Sequence, residues 1–199
     1  MIHALPGMGA DRRMFPTPWD SLPGFVAHDW PEYSGERTIA ETAAKVADLW
    51  RIGDGDVVVG TSLGGIVACE IAKIRHLRAL VLIGSALSKD EVHPLLALLH
   101  PLAGIAPLEW LKFSAGKLPA ELPQMFAGVD AEFIRNMCAA IFRWDGLGPA
   151  SVVCHRVHGR RDRVIPPPAA VDLLLDGGHL ISITHAKACA GFVRTTVLT

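Results

Sequence analysis

Charge of one sign is missing from this chain. Nineteen basic residues stand against twenty acidic ones in 199, a formal charge of −1, so no net field draws in nucleic acid or anionic lipid. Cysteine is scarce and scattered. Cys69, Cys138, Cys154 and Cys189 form no CxxC pair, which supports neither a metal clip nor a disulfide framework and suits structural thiols in a reducing cytoplasm. Long apolar runs are missing too. Residues 1–13 are broken by Pro6, Gly7 and Gly9 where a secretory signal needs a continuous apolar stretch. The most apolar region, 95–111, is interrupted by His100, Pro101, Gly104 and Pro107 and falls short of a membrane span. Repeats and low-complexity tracts are absent. The expectation is a soluble, cytoplasmic protein with no nucleic-acid partner and no membrane span, its oligomeric state left open.

Half of the residues are hydrophobic and a fifth charged, a balance that suits a buried sheet covered by helices, and the length suits one domain spanning 1–199. Short apolar runs bounded by turn residues predict strands at Ile2–Leu5, Phe25–Ala27, 57–59, Ala79–Ile83 and 152–157, with a late run at 171–175. Val57-Val58-Val59 and Leu80-Val81-Leu82-Ile83 do not alternate with polar residues, as strands buried on both faces of a parallel sheet do not. Between them lie helical patterns. Thr38 with Glu41 makes a capping box ahead of Ile39, Ala43, Val46 and Trp50, predicting a helix over about 38–51. Val67, Ile71 and Ile74 follow Ser62 at helical spacing, and Ala186, Cys189, Val193 and Thr196 predict a closing helix. Residues 86–150 break the alternation: helical segments, strongest at 93–113 and 131–144, succeed one another without a strand and read as an insertion.

Gly60-Thr61-Ser62-Leu63-Gly64 matches G-x-S-x-G, a pattern expected about 0.07 times by chance at this composition. Its setting carries more weight than the match. It follows the apolar run 57–59 and opens a helix, so the serine sits on a sharp strand-to-helix turn. There the residues two before and two after it are crowded enough to require glycine, and Gly65 lets the helix approach the strands. The helix N-terminus offers partial positive charge and free N–H groups to a developing oxyanion. The alternative is a glycine-rich turn whose serine caps the helix.

With these residues the chain resembles the α/β-hydrolase superfamily over most of its length, 86–150 matching only loosely. The resemblance implies a sheet of about six mostly parallel strands flanked by helices, with 86–150 as a helical lid. It implies the order nucleophile, acid, base. His158-Gly159-Arg160-Arg161-Asp162 after the strand 152–157 is similar to the family's acid loop and makes Asp162 the expected acid, with Asp145 and Asp90 as fallbacks. Otherwise Asp162 is a loop carboxylate paired with its neighbouring arginines. Gly177-Gly178-His179 is similar to the loop that carries the base. His185 falls in the closing helix, and His158 would support the acid loop. Leu5-Pro6-Gly7-Met8-Gly9 resembles the oxyanion loop, with Pro-Gly in place of His-Gly. The expected oxyanion donors are therefore the Leu63 and Met8 amides. The chain departs from the family in beginning on the oxyanion strand. With Pro166-Pro167-Pro168 between acid and base, the usual helix there should shrink to a turn or two.

The implied activity is serine hydrolysis of a small-molecule acyl ester or thioester through an acyl-enzyme on Ser62, with no cofactor and no metal. Acyl transfer, lactone or carbon–carbon cleavage by the same residues, and a non-catalytic binding protein on the same scaffold, stay open. Leu95, Leu98, Leu102, Trp110, Phe113, Phe126, Phe133 and Phe142 could line an acyl pocket or form the insertion's own core. Arg12 and Arg13, with Arg160, Arg161 and Arg163, could bind a substrate anion or be solvated loop charges.

Overall fold

The computed structural model describes residues 1–93, 125, 130–149 and 152–198. Six strands form a single sheet: β1 (Ile2–Leu5), β2 (Phe25–Ala27), β3 (Val57–Thr61), β4 (Ala79–Ile83), β5 (Cys154–Gly159) and β6 (Leu173–Leu175), in the order β2-β1-β3-β4-β5-β6. Every pairing is parallel. The unbroken apolar runs have a direct explanation in the pleat, which sends successive side chains to opposite faces. Val58, Leu80 and Leu82 point into one core layer, whereas Val57, Val59, Ala79, Val81 and Ile83 point into the other. Both faces of these two strands are covered, so their runs 57–59 and 79–83 hold apolar residues only. Each such Val or Leu contributes about 1.5–3 kcal/mol by its burial.

The first layer receives α1 (Ile39–Leu49), α2 (Leu63–Ile74) and α3 (Ala131–Ile141). The opposite layer receives the short turn of helix α4 (Ile181–Thr184) and the closing helix α5 (Ala186–Thr196). Helix α1 starts where its capping box predicts. Thr38 Oγ1 accepts from Glu41 N–H at 3.1 Å and Glu41 Oε2 accepts from Thr38 N–H at 3.1 Å, an arrangement worth about 1 kcal/mol. Helix α3 stops short of the predicted 144 because Trp144 turns back on α2 and donates its indole N–H to Glu70 at 2.7 Å.

Strand β3 runs on to Thr61 and β6 begins only at Leu173, and the stretch around β5 departs further from the sequence expectation. Strand β5 runs from Cys154, two residues late, because its pairing with β4 begins at Leu80 opposite Cys154. The connection from β5 to β6 holds no helical turn at all, where one or two were expected. The Asp162 carboxylate accepts from the Val164 and Ile165 N–H groups as an N-cap would, but Pro166, Pro167 and Pro168 follow at once, bring no N–H and hold the residues before them extended, so the turn is not continued as a helix. Apart from His93, the predicted helix over 93–113 lies outside the described residues, and with it Leu95, Leu98, Leu102, Trp110 and Phe113, as does Phe126.

Candidate active site

The carboxyl ends of β3, β4 and β5 and the turn after β6 converge on Ser62. This serine has φ 52° and ψ −121°, a backbone conformation that non-glycine residues avoid and that persists only when its surroundings enforce it. The enforcement is visible on both sides. A Cβ on Gly60 would overlap Gly64 O and the Gly65 backbone, and one on Gly64 would overlap the Leu5 and Pro6 carbonyls. The turn can therefore close only with glycine at these two places, and closing it leaves Ser62 partly exposed at the head of α2. Ser62 N–H donates to Ile83 O at 3.2 Å, and Ser85 Oγ donates to Ser62 O at 2.7 Å. The end of β4 thus holds the turn from beneath.

The same stretch of β4 touches the other two expected residues. Gly84 has φ +52°, and a Cβ there would lie 3.1 Å from His179 O and 3.3 Å from Asp162 Oδ2. Asp162 and His179 are joined directly: Nδ1 of His179 stands 2.8 Å from Asp162 Oδ2, with the carboxylate fully buried and the imidazole nearly so. A carboxylate only accepts, so the shared proton is on Nδ1; in the neutral imidazole the Nε2 lone pair is then the one left to take another. The loops that carry the pair are tied together. Arg161 N–H donates to Gly177 O at 2.8 Å, and Gly159 lies so close under the Gly177 and Gly178 carbonyls that a side chain there would collide with them. No hydrogen bond joins Ser62 Oγ to His179 Nε2 among the described residues; such bonds commonly close only with substrate bound.

Burial alone would raise the Asp162 carboxyl. The charge of His179, the hydrogen bonds from His158 and His179 and the Ile165 N–H outweigh it and hold the group well below the usual carboxylate range. His158, almost wholly buried, has Nε2 at 2.7 Å from Ile165 O and 3.5 Å from Asp162 Oδ2. It braces the acid loop, as its place at the strand end suggested. The fallback Asp90 is exposed in the turn at Lys89–Glu91, and Asp145 is also exposed.

Leu63 and Met8 flank this cluster. Among the described residues neither backbone N–H is taken by another group, and Gly7 is close enough that a Cβ on it would lie 3.5 Å from Ser62 Cβ. Beside the same loop a cavity of about 600 Å³ opens between Gly9–Asp11 and the segment 29–33, walled by Trp30, Tyr33, Met125 and Phe133. Of the arginines, Arg12 pairs with Asp29 at 2.7 Å, Arg13 with Asp11 at 2.6 Å and Arg161 with Asp176 at 3.4 Å. Arg160 is exposed. Three of these charges are thus answered by neighbouring carboxylates. Among the described residues no group of His, Cys, Asp and Glu is arranged to hold a metal ion, and no helix is long and apolar enough to cross a membrane. All four cysteines are unpaired. Burial pushes the Cys138 and Cys154 thiols up to about 11 and Cys189 up to about 12.

Sequence reasoning missed three residues that shape the site. Gly84 and Ser85 follow β4 as a Gly-Ser pair, a turn signal that could have drawn attention to them. Trp30, which donates to the Gly7 carbonyl, gave no signal in the sequence.

The whole architecture recurs in known proteins. The chain overlays on an esterase from Exiguobacterium antarcticum with a TM-score of 0.78 at 17% identity, covering 100% of this chain and 91% of that one. An enol-lactonase from Burkholderia xenovorans LB400 overlays with a TM-score of 0.77 at 18% identity, covering 100% and 91%. The type II thioesterase BorB from the borrelidin biosynthetic cluster gives 0.70 at 18%, covering 98% and 91%. At these identities the likeness is one of fold. No curated protein sequence matches the chain. A sequence profile of the alpha/beta hydrolase family, however, matches residues 2–192. With that match spanning nearly the whole chain, and with a six-stranded parallel sheet beneath a strained serine turn, the protein belongs to the alpha/beta hydrolase family.

Proposed function

We propose that the protein is a serine hydrolase that cleaves an ester or thioester of a small or medium carboxylic acid through an acyl-enzyme on Ser62. The observation that carries the reading is the buried 2.8 Å contact between His179 Nδ1 and Asp162 Oδ2, at the same sheet edge as a serine forced to φ 52°. Ser62 Oγ attacks the acyl carbon while its proton passes to His179 Nε2. Asp162 keeps the other proton on Nδ1 and stabilises the imidazolium. The Leu63 and Met8 N–H groups hold the oxyanion. As the tetrahedral centre collapses, the leaving alkoxide or thiolate departs and takes the proton from Nε2. Water then attacks the acyl-enzyme, gives its proton to His179, and the acid leaves as Ser62 recovers its hydrogen.

Residues 86–150 are read as a helical lid within one domain. Its helix α3 packs on the core that holds α1, and Phe133 faces the cavity beside the oxyanion loop. Phe133 thus serves both core and pocket, and the cavity suits the acyl or alcohol part of the substrate. The four unpaired thiols support action in a reducing cytoplasm.

A fluorophosphonate serine probe tests the reading. Wild type should label, while Ser62→Ala should not and His179→Ala should label far more slowly. Absence of labelling in wild type overturns the enzyme, and labelling that persists in Ser62→Ala moves the nucleophile elsewhere. A panel of short and long acyl esters and thioesters then defines the substrate. A preference for long chains supports an apolar pocket lined by the lid, and equal rates across the panel count against it.

A further inference from the structure

One hydrogen bond beside the active site serves none of the roles assigned above. Trp30, which follows β2, donates its indole Nε1–H to the Gly7 carbonyl at 2.9 Å. That carbonyl and the Met8 N–H belong to one peptide unit. The unit is trans, the cis bond among the described residues being Thr17–Pro18, so it is planar with its C=O and N–H pointing in opposite directions. Holding the oxygen toward Trp30 therefore holds the Met8 hydrogen on the opposite side. The same carbonyl also accepts from Ala10 N–H, which closes the turn on it at 3.2 Å, so Trp30 supplies the shorter of its two hydrogen bonds; the peptide before it is held as well, its Gly7 N–H directed at the buried Met14 Sδ at 3.2 Å. The indole is itself braced, its ring centroid 5.5 Å from that of Phe133 and 6.2 Å from that of Trp50.

We propose that Trp30 is a positioning residue for the oxyanion hole, its indole N–H pinning the Gly7–Met8 peptide so that the Met8 amide faces the substrate oxygen as charge develops on it. This rests on the hydrolase reading, in which Met8 is a donor. Pinning means that the amide needs no reorientation during reaction, and a hydrogen bond accepted by the carbonyl polarises the N–H across the same unit. Both effects grow with the charge on the oxygen, so losing them weakens transition-state binding more than ground-state binding.

Trp30→Phe keeps a ring in the slot and deletes the donor, with Trp50→Phe as the control that perturbs the same stack but leaves the indole N–H of Trp30 in place. On a substrate turned over by wild type, Trp30→Phe should lower kcat by about 10- to 100-fold and leave KM within about threefold. The Kd of a trifluoromethyl ketone analogue should weaken by a similar factor. Trp50→Phe should stay near wild type in each. Independently of turnover, the ¹⁵N order parameter of the Met8 amide should fall in Trp30→Phe and not in Trp50→Phe. If Trp30→Phe folds poorly, 3-benzothienylalanine at position 30 removes the N–H at nearly constant shape. A kcat within threefold of wild type, a rise in KM alone, or an unchanged Met8 order parameter overturns the proposal. If wild type neither turns over an ester nor labels at Ser62, the hydrolase reading falls instead, and the Met8 order parameter still decides whether Trp30 pins the peptide.

Discussion

Asp162→Asn isolates the tautomer of His179 from its placement. Asp162 Oδ1 accepts from Val164 N–H at 2.9 Å and from Ile165 N–H at 3.0 Å, while Oδ2 meets His179 Nδ1 at 2.8 Å. An asparagine must put its carbonyl oxygen where the two backbone N–H groups point, because turning its NH₂ toward them would set donors against donors. The NH₂ then faces His179, whose Nδ1 must become the acceptor. The proton moves to Nε2, the atom that has to receive one from Ser62. The base is thereby blocked with its position unchanged. A wrong-tautomer base of this kind lowers kcat by about 10⁴, equivalent to about 5.5 kcal/mol of barrier. Loss of the charged acceptor should also lower stability by about 1–3 kcal/mol. The assay is kcat on the best ester of the panel together with the rate of fluorophosphonate labelling, and a melting curve to show that the variant is folded. A folded Asp162→Asn that keeps kcat within tenfold of wild type would refute the assignment of Asp162 as the orienting acid.

The remaining predictions concern the turn and the pH response. Gly64→Ala places a methyl group against the Leu5 and Pro6 carbonyls, pushing the loop after β1 away from Ser62. It should destabilise by about 3 kcal/mol and reduce labelling, and a melting temperature and labelling rate equal to wild type would contradict the close approach. His28 lies half-buried, with its Nε2 at 3.0 Å from His3 Nδ1 and its ring stacked on Trp50 at 4.3 Å. Burial and then the neighbouring His3 lower it to about 4, against about 6.5 in an unfolded chain. Between those values the unfolded state binds a proton that the folded state refuses, so this contribution is complete above pH 6.5 and is lost as pH falls toward 4. Discounted for partial exposure, the loss is about 1–2 kcal/mol. Urea midpoints measured from pH 7 to 4.5 should show it, and His28→Phe should flatten the slope. An identical slope in both proteins would remove His28 as its source.

Much of this architecture was legible in residue order, and what was not has a common cause. Strands β1, β2 and β4 run where their apolar runs lie, and α1 begins at its capping box, because local sterics and short-range hydrogen bonds decide these features. The glycines around Ser62 mark the turn since only residues without Cβ can occupy it. Their order along the chain and the residues beside them mark Asp162 and His179 as the expected acid and base. Their contact, however, depends on β5 and β6 pairing side by side, and on Gly159 admitting the Gly177 and Gly178 carbonyls. The turn or two of helix expected between them is absent because Pro166, Pro167 and Pro168 follow the Val164 and Ile165 amides that Asp162 caps and cannot continue it. Trp30 meets Gly7 across two strand ends, and no spacing along the chain records that meeting. The sequence alone determined the strained serine turn and the kind of sheet that carries it, since both follow from the size and branching of neighbouring residues. Only the tertiary structure decided which distant groups face that turn, because the pairing of six parallel strands brings together residues more than a hundred positions apart.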